Sequence, residues 1–372
     1  MPLRILISST DPPCWGGAGT SAYALFEAMQ GDGLDVAFIA LIETDEATFL
    51  EESLGAQMGN PRGLPDAHTI VLRGTYDHPQ PDVEARIARL APDVILAVGS
   101  VAAVVLPTAA PTVPVVFLTT GCEQLKTLVI DGTFCDYVAA HDHIVSSTAP
   151  VGVPTAQERH AVEKAARVVA HSDTTLLLME RLYRPHRAKI HRHVVWFAEW
   201  IFGEAARHRD EARRFGTRDI DVLFVASSWT RPEKNLPAVE ELARRLPDHR
   251  MHVVGASDRA IAGVTHHGLV ARQPFFEILG NAKTVACVST FDTAPGILFE
   301  AAAMGCNIVA SRNCGNWQIC HDDLLVHPAT IDGFADAIRL SATRRFTNNI
   351  DSFLGTGSYT ELKGLLASVS GT

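Results

Sequence analysis

The sequence predicts an α/β protein made of two doubly wound domains, each with a mostly parallel sheet covered on both faces. Three observations predict it. The chain has 372 residues, well beyond a domain prior of about 150 residues. Continuous apolar strands alternate with helical segments in both halves. The turns after several strands are rich in Gly and Pro, where an open parallel sheet places its ligand loops.

The elements follow in order. Arg4-Ile5-Leu6-Ile7-Ser8-Ser9 reads as a buried strand, followed by the loop Asp11-Pro12-Pro13-Cys14-Trp15-Gly16-Gly17-Ala18-Gly19. Thr20 or Ser21 can cap a helix over 22–29, and residues 34–39 form the next strand. The uncharged stretch Val94–Leu118 is long enough to span a membrane. Gly99, Pro107, Pro111 and Pro114 interrupt it, so it reads as two buried strands, 94–98 and 115–118, with a short connection. In the second half, strands are predicted over 222–226, 251–254, 285–288 and 308–311, and helices over 236–245, 275–281, 297–304 and 334–340. The expected division is a first domain over 1–202, a charge-rich linker over 203–219 and a second domain over 220–345. A tail over 346–372, with a final amphipathic helix, has the length to cross back to the first domain.

Composition narrows the function. Hydrophobic residues make up 47% and charged residues 20%, enough apolar material for two cores. The net charge of −10 argues against a dedicated nucleic-acid binder, while leaving room for a local basic patch. Seven cysteines without a Cys-x-x-Cys pair fit reduced thiols in a cytoplasmic protein better than a disulfide framework or zinc cage. The apolar run after Met1 is too short for a signal peptide, and no transmembrane span is expected.

Three segments carry candidate chemistry. Gly16-Gly17-Ala18-Gly19 permits close backbone approach before a helix start, an arrangement suited to an anion. Ser227-Ser228-Trp229-Thr230-Arg231-Pro232-Glu233-Lys234-Asn235 sets Arg231 and Lys234 after a strand, where two cations suit a diphosphate. The third segment runs from Thr290 to Ser311. Thr293 is the expected cap and Pro295 an early helical residue; Asp292 sits just outside the helix and Glu300 two turns in, among apolar neighbours. A carboxylate there needs a partner: vicinal sugar hydroxyls, or an arginine from elsewhere in the fold.

These segments occur in an order, with Val253-Val254-Gly255 and His267-Gly268-Leu269-Val270 between them, that resembles the retaining GT-B glycosyltransferases of the "group 1" family. That family's Glu-x7-Glu appears as Asp292-x7-Glu300, followed by Ala301-Ala302-Ala303-Met304-Gly305-Cys306-Asn307-Ile308-Val309. Cys314-Gly315-Asn316-Trp317-Gln318-Ile319 looks like its Gly-Gly-Asn-x-Glu-Ile turn. The resemblance implies two Rossmann-like domains facing a central cleft, and transfer of a hexose-type sugar from a UDP- or GDP-linked donor to an acceptor hydroxyl, with retention and without a metal or other cofactor. It implies that Lys234 and Arg231 hold the diphosphate, Asp292 faces the donor sugar and Glu300 binds the ribose. Gly17, Gly19, Gly255, Val270 and the amides near Gly296 and Ile297 would line the donor site. A nucleotide-sugar 2-epimerase, and a degenerate binding subunit on the same fold, are the alternatives.

The sequence also departs from that pattern. Asp292 is one methylene short, Trp229 stands where Arg is usual five residues before the lysine, Gln318 replaces Glu, and Thr120 follows the strand where the family often has His. On the acceptor side, Thr120, His141, Arg184 and Arg187 are candidates. The segment Arg181–His193 holds five Lys/Arg without an acid and suits an anionic acceptor, whether glycan, lipid phosphate at a membrane surface, or small molecule. Two weaker metal-like patterns, Asp219-Ile220-Asp221 and His141-Asp142-His143, lack a third convergent ligand.

Overall fold

The computed structural model describes residues 3–10, 16–43, 69–72, 78, 80–120, 156–170, 173–192, 198–354 and 357–371. They group into two compact units. Described residues up to 192, together with those from 357 onward, form the first; residues 198–354 form the second.

The first unit is a seven-stranded sheet. Its strands are β1 (Arg4–Ser9), β2 (Asp35–Ile42), β3 (Thr69–Val71), β4 (Val94–Val98), β5 (Val115–Thr119), β6 (Arg167–Ala170) and β7 (Ile190–Arg192), in the order β3-β2-β1-β4-β5-β6-β7. Every pairing is parallel, and the reversal at β1 is that of a doubly wound sheet. The helices are α1 (Gly16–Gly31), α2 (Pro81–Leu90), α3 (Ser100–Ala109), α4 (Ala156–Lys164) and α5 (Asp173–Leu182). The core is built from strand residues such as Leu6, Ile39, Ile95 and Phe117 against Val83, Ile87 and Ala102–Leu106.

Two details differ from expectation. The connection between β4 and β5 is the helix α3, which contains Pro107. Proline is costly in a helix interior, but Ala102 to Leu106 are all buried and their packing offsets it. Second, the run Gly16–Gly19 is the first turn of α1, ahead of the expected cap at Thr20 or Ser21. First-turn N–H groups have no intrahelical partner in any helix, so glycine is tolerated there. No helix among the described residues is long and apolar enough to cross a membrane.

The second unit carries a six-stranded sheet of β8 (Ile220–Ser228), β9 (Met251–Ala256), β10 (Val264–His266), β11 (Ala282–Cys287), β12 (Asn307–Ser311) and β13 (Leu325–Val326). The order is β10-β9-β8-β11-β12-β13, again parallel throughout. Its helices are α6 (Ala198–Ala206), α7 (Leu236–Arg245), α8 (Arg272–Gly280), α9 (Ile297–Ala303) and α10 (Ile331–Thr343). In α7, Leu236, Val239 and Leu242 are buried on one stripe, the spacing of a helix laid on a sheet. In α10, the Thr330 side chain caps the Gly333 N–H at 3.1 Å and Phe334 and Ile338 enter the core.

The segment 203–219, expected as a linker, belongs to the second unit. Helix α6 runs into it and packs on α9, and the Arg218 side chain is buried. Arg218 anchors it, while Arg207, Arg209, Arg213 and Arg214 remain exposed. The tail forms α11 (Ser358–Val369), where Tyr359 Oη and Lys363 Nζ donate to Asp32 at 2.8 and 2.9 Å within the first unit.

Candidate active site

A parallel sheet delivers the carboxyl ends of all its strands to one edge. In the second unit that edge gathers the loops after β8, β9, β11 and β12. After β8 the chain turns at Trp229, whose N–H donates to Ala256 O at 2.7 Å and whose indole Nε1 donates to Val254 O at 3.0 Å. A Cβ on Gly255 would lie 1.7 Å from Ala226 O, and Gly255 holds φ +123°. Only glycine therefore lets β9 meet the β8 loop. Gly255 N–H donates to Gly268 O at 2.8 Å, so the two motif glycines are joined; Val270 follows, half-buried. Trp229, in place of the family's arginine, is a buried packing residue.

The turn Pro232–Lys234 comes next. Asn235, in the left-handed region at φ +62°, donates Nδ2–H to Val288 O at 3.1 Å, while Thr290 N–H donates to Glu233 O. These bonds fix the lysine loop to the loop after β11 and bring Lys234 to Asp292. Nζ donates to Oδ2 at 2.5 Å, with 15% and 17% of the two side chains exposed. Burial pulls the Lys234 pKa down, but the Asp292 charge outweighs it and holds the ammonium above its usual value. Arg231 lies close enough to oppose this; its own guanidinium bonds the buried Glu233 carboxylate at 2.6 Å.

Asp292 is clamped from the far side. Its N–H donates to Asn313 O at 3.1 Å and its carbonyl accepts from Gly315 N–H at 2.8 Å, a parallel bridge to the turn after β12. A Cβ at Gly315 would sit 1.6 Å from Thr293 O, which accounts for the glycine. Asn316 Nδ2–H donates to Pro295 O at 3.1 Å. The buried thiols of Cys287 and Cys314 meet behind this turn, with sulfurs 3.4 Å apart.

The helix start differs from expectation. Thr293 does not cap α9: the N-cap is Gly296, without a side-chain cap bond, and Pro295 lies ahead of the first turn. A Cβ at Gly296 would come within 3.1 Å of Ile201 Cδ1, so the glycine lets α6 approach α9. Two turns of chain beyond Asp292, Glu300 is buried at 7% exposure. Its Oε1 accepts from Arg272 Nη1 at 2.6 Å, and Arg272 Nη2 donates to Glu204 at 2.6 Å. Burial works against the Arg272 charge, but the two carboxylates overcome it and push its pKa up. The guanidinium also lies 4.5 Å from the Phe276 ring centroid, a cation–π contact.

The second unit thus assembles Lys234, Asp292, Arg231, Gly255, Val270, Gly296, Ile297 and Glu300 from motifs far apart in sequence. Of the partners an isolated Glu300 required, the arginine is present. The sequence reading missed Arg272 and Glu204. Their signal was a cation two residues past His267–Val270 and an acid in the segment taken as linker. Asp219 and Asp221 lie at the opposite, amino-terminal end of β8, where Arg213, Arg250 and Lys283 hold them.

Candidates in the first unit are more scattered. Gly17 and Gly19 lie in the first turn of α1, and Thr120 is exposed after β5. His141 is outside the described residues. Arg184 and Arg187 are exposed on the short 3₁₀ helix Arg184–Lys189. The basic segment is less free than its composition suggests. Arg187 pairs with Glu180 at 3.1 Å, and Lys189 donates to the carbonyls of Val162, Glu163 and Ala165 at the end of α4.

Two Rossmann-like parallel sheets in one chain, with the candidate loops of the second on its carboxyl edge, define the GT-B class. Comparison adds a family likeness over part of the chain: residues 220–342 match the family model described as glycosyl transferases group 1. Among solved structures, the chain is similar in fold to the sucrose-phosphate synthase of Thermosynechococcus elongatus (TM-score 0.62, 14% identity, 99% of this chain and 96% of that one). It is also similar to Anabaena HepE in complex with UDP and glucose (TM-score 0.60, 16% identity, 98% and 100%). A third similar structure is the UDP-GlcNAc 2-epimerase of Methanocaldococcus jannaschii (TM-score 0.52, 10% identity, 98% and 99%). The search of curated proteins returned no match.

Proposed function

We propose that the protein is a retaining, metal-independent glycosyltransferase that moves a hexose-type sugar from a UDP- or GDP-linked donor to an acceptor hydroxyl. The observation that carries this reading is the half-buried Lys234 ammonium, held charged beside Asp292 at the carboxyl edge of the second sheet, with the Glu300 carboxylate on the helix that follows.

In this reading Lys234 meets the donor diphosphate. A preformed cation in a low-dielectric site acts where negative charge develops on the leaving group. Arg231 supplies a second cation, released from Glu233 by the incoming phosphate. Glu300 accepts from the ribose hydroxyls, and Arg272, holding one carboxylate oxygen, orients the other toward them. Asp292 orients the sugar once the diphosphate draws Lys234 away from it. Front-face attack by the acceptor then retains configuration without a protein nucleophile. The acceptor is assigned to the first unit, with Thr120, His141, Arg184 and Arg187 as candidates; a glycan, a lipid phosphate or an anionic small molecule fits their charge. The cysteine pattern supports a cytoplasmic location.

The fold likeness to a 2-epimerase supports a second reading, rearrangement of the nucleotide sugar without an acceptor. The test begins with thermal shift against UDP, GDP, ADP and their sugars. Turnover of the stabilising sugar is then followed with and without acceptors and with excess chelator. Transfer that needs an acceptor and survives chelation is expected. In the same assay, Glu300→Gln should weaken nucleotide binding by about 1–3 kcal/mol, the worth of a charged hydrogen bond. Epimerisation without acceptor, restoration by magnesium or manganese after chelation, or unchanged binding by Glu300→Gln would each overturn the corresponding part.

A further inference from the structure

The second unit has another charged cavity, at the opposite edge of its sheet. It encloses about 420 Å³ including its open mouth, and its lining holds Arg209, Arg213, Arg214, Arg218 and Arg345 with no Asp or Glu. Arg218 lies two residues before β8, and Gly305 lies between the end of α9 and the start of β12. The cavity therefore faces the amino ends of the strands, away from Lys234 and Asp292. In a chain of net charge −10, five guanidinium groups at one opening are a strong local reversal of sign.

Four of the five arginines are not neutralised where they stand; Arg213 is the exception. Arg218 is only 5% exposed, and its partners are neutral: the carbonyls of Arg213, Ala282, Met304 and Gly305 and the Cys306 sulfur. These bonds fix the guanidinium as a rigid cationic floor while leaving its charge uncompensated. Arg213 pairs with Asp219. Among the described residues, no carboxylate lies within ion-pair distance of Arg209, Arg214, Arg218 or Arg345. Phe215 and Met304 add apolar surface to the lining.

We propose that this cavity is a binding site for a phosphate-class anion, separate from the donor site. Guanidinium groups bind phosphate oxygens bidentately and remain charged at every working pH. The cavity volume proper is about 150 Å³, below the about 300–1,000 Å³ of drug-sized ligand sites, so it suits a compact anion such as phosphate or pyrophosphate. An anionic lipid headgroup presents the same chemistry.

The test is calorimetric titration of the full chain with inorganic pyrophosphate. It is run on wild type, on Lys234→Met to silence the donor site, and on Arg214→Gln/Arg345→Gln in both backgrounds. Arg214 and Arg345 are exposed, so their replacement leaves the fold intact, which circular dichroism checks; Arg218 is left alone because its loss would strand buried carbonyls. Binding that persists in Lys234→Met and weakens at least tenfold in the arginine variant is expected. Binding abolished by Lys234→Met, or unchanged by the arginine variant, overturns the proposal. Cosedimentation with equimolar phosphatidylcholine–phosphatidylglycerol vesicles separates the sources. Capture that the arginine variant loses identifies a headgroup, and pyrophosphate binding without capture identifies a free ligand. If wild type neither binds pyrophosphate nor is captured, no such site exists.

Discussion

Removing Lys234 should cost stability as well as function. With only 15% and 17% of the two side chains in water and a 2.5 Å contact between them, taking away the ammonium strands the Asp292 carboxylate. Breaking a fully buried pair costs about 3–5 kcal/mol; the residual exposure here brings the expectation for Lys234→Met to about 2–4 kcal/mol. Asp292→Asn should cost a similar amount, and Lys234→Met/Asp292→Leu should regain about half of the summed loss, because no charge is then left unpaired. Three of the five tryptophans, Trp200, Trp229 and Trp317, lie in the second unit, so the larger share of the tryptophan fluorescence in urea follows its unfolding. The sign with pH is also set. A lysine pKa raised on folding gives stability that is complete below the unfolded value near 10.5 and is lost only as pH rises through the folded one. The pair should thus contribute fully at neutral pH. The function arm decides its role: the double variant should regain stability while donor binding and turnover stay lost. Turnover that recovers together with stability would make the pair purely structural and refute the diphosphate assignment.

Three other outcomes are expected. Gly255→Ala places a methyl 1.7 Å from Ala226 O at φ +123° and should destabilise the second unit by more than 2 kcal/mol, roughly the scale of backbone strain plus a steric shift; an unchanged urea midpoint would contradict this. His252 Nδ1 and His267 Nε2 lie 2.9 Å apart, and burial lowers both pKa values, with the neighbouring His267 and His266 charges adding to it. The folded state therefore binds fewer protons, so stability should fall as pH drops below about 6.5, and His267→Asn should flatten that slope in urea titrations between pH 5 and 8. Charge reversal at Arg184 and Arg187 together should raise the acceptor KM and leave the donor KM unchanged, with the wild-type acceptor KM rising with salt; a shift in the donor KM instead would move this segment to the donor site.

Sequence alone determined the class of fold and singled out the loops of the candidate site. Continuous apolar runs such as Val94–Val98 and Ile308–Val309 can be buried only in a sheet covered on both faces, and helical stripes between them dictate parallel crossovers. Lys234, Asp292 and Glu300 were legible because each breaks its surroundings: a cation after a strand, an acid beside a helix start, an acid among alanines. Tertiary structure decided what those charges touch. That Asp292 holds Lys234 and that Glu300 and Glu204 share Arg272 are long-range pairings, 58, 28 and 68 residues apart for the three ion contacts. No local pattern encodes such distances, because they follow from strand order and loop docking. The same reason explains the misplaced features. Gly16–Gly19 entered a helix, Pro107 stayed within one and the 203–219 segment became part of a domain because packing against distant elements outweighed local propensity.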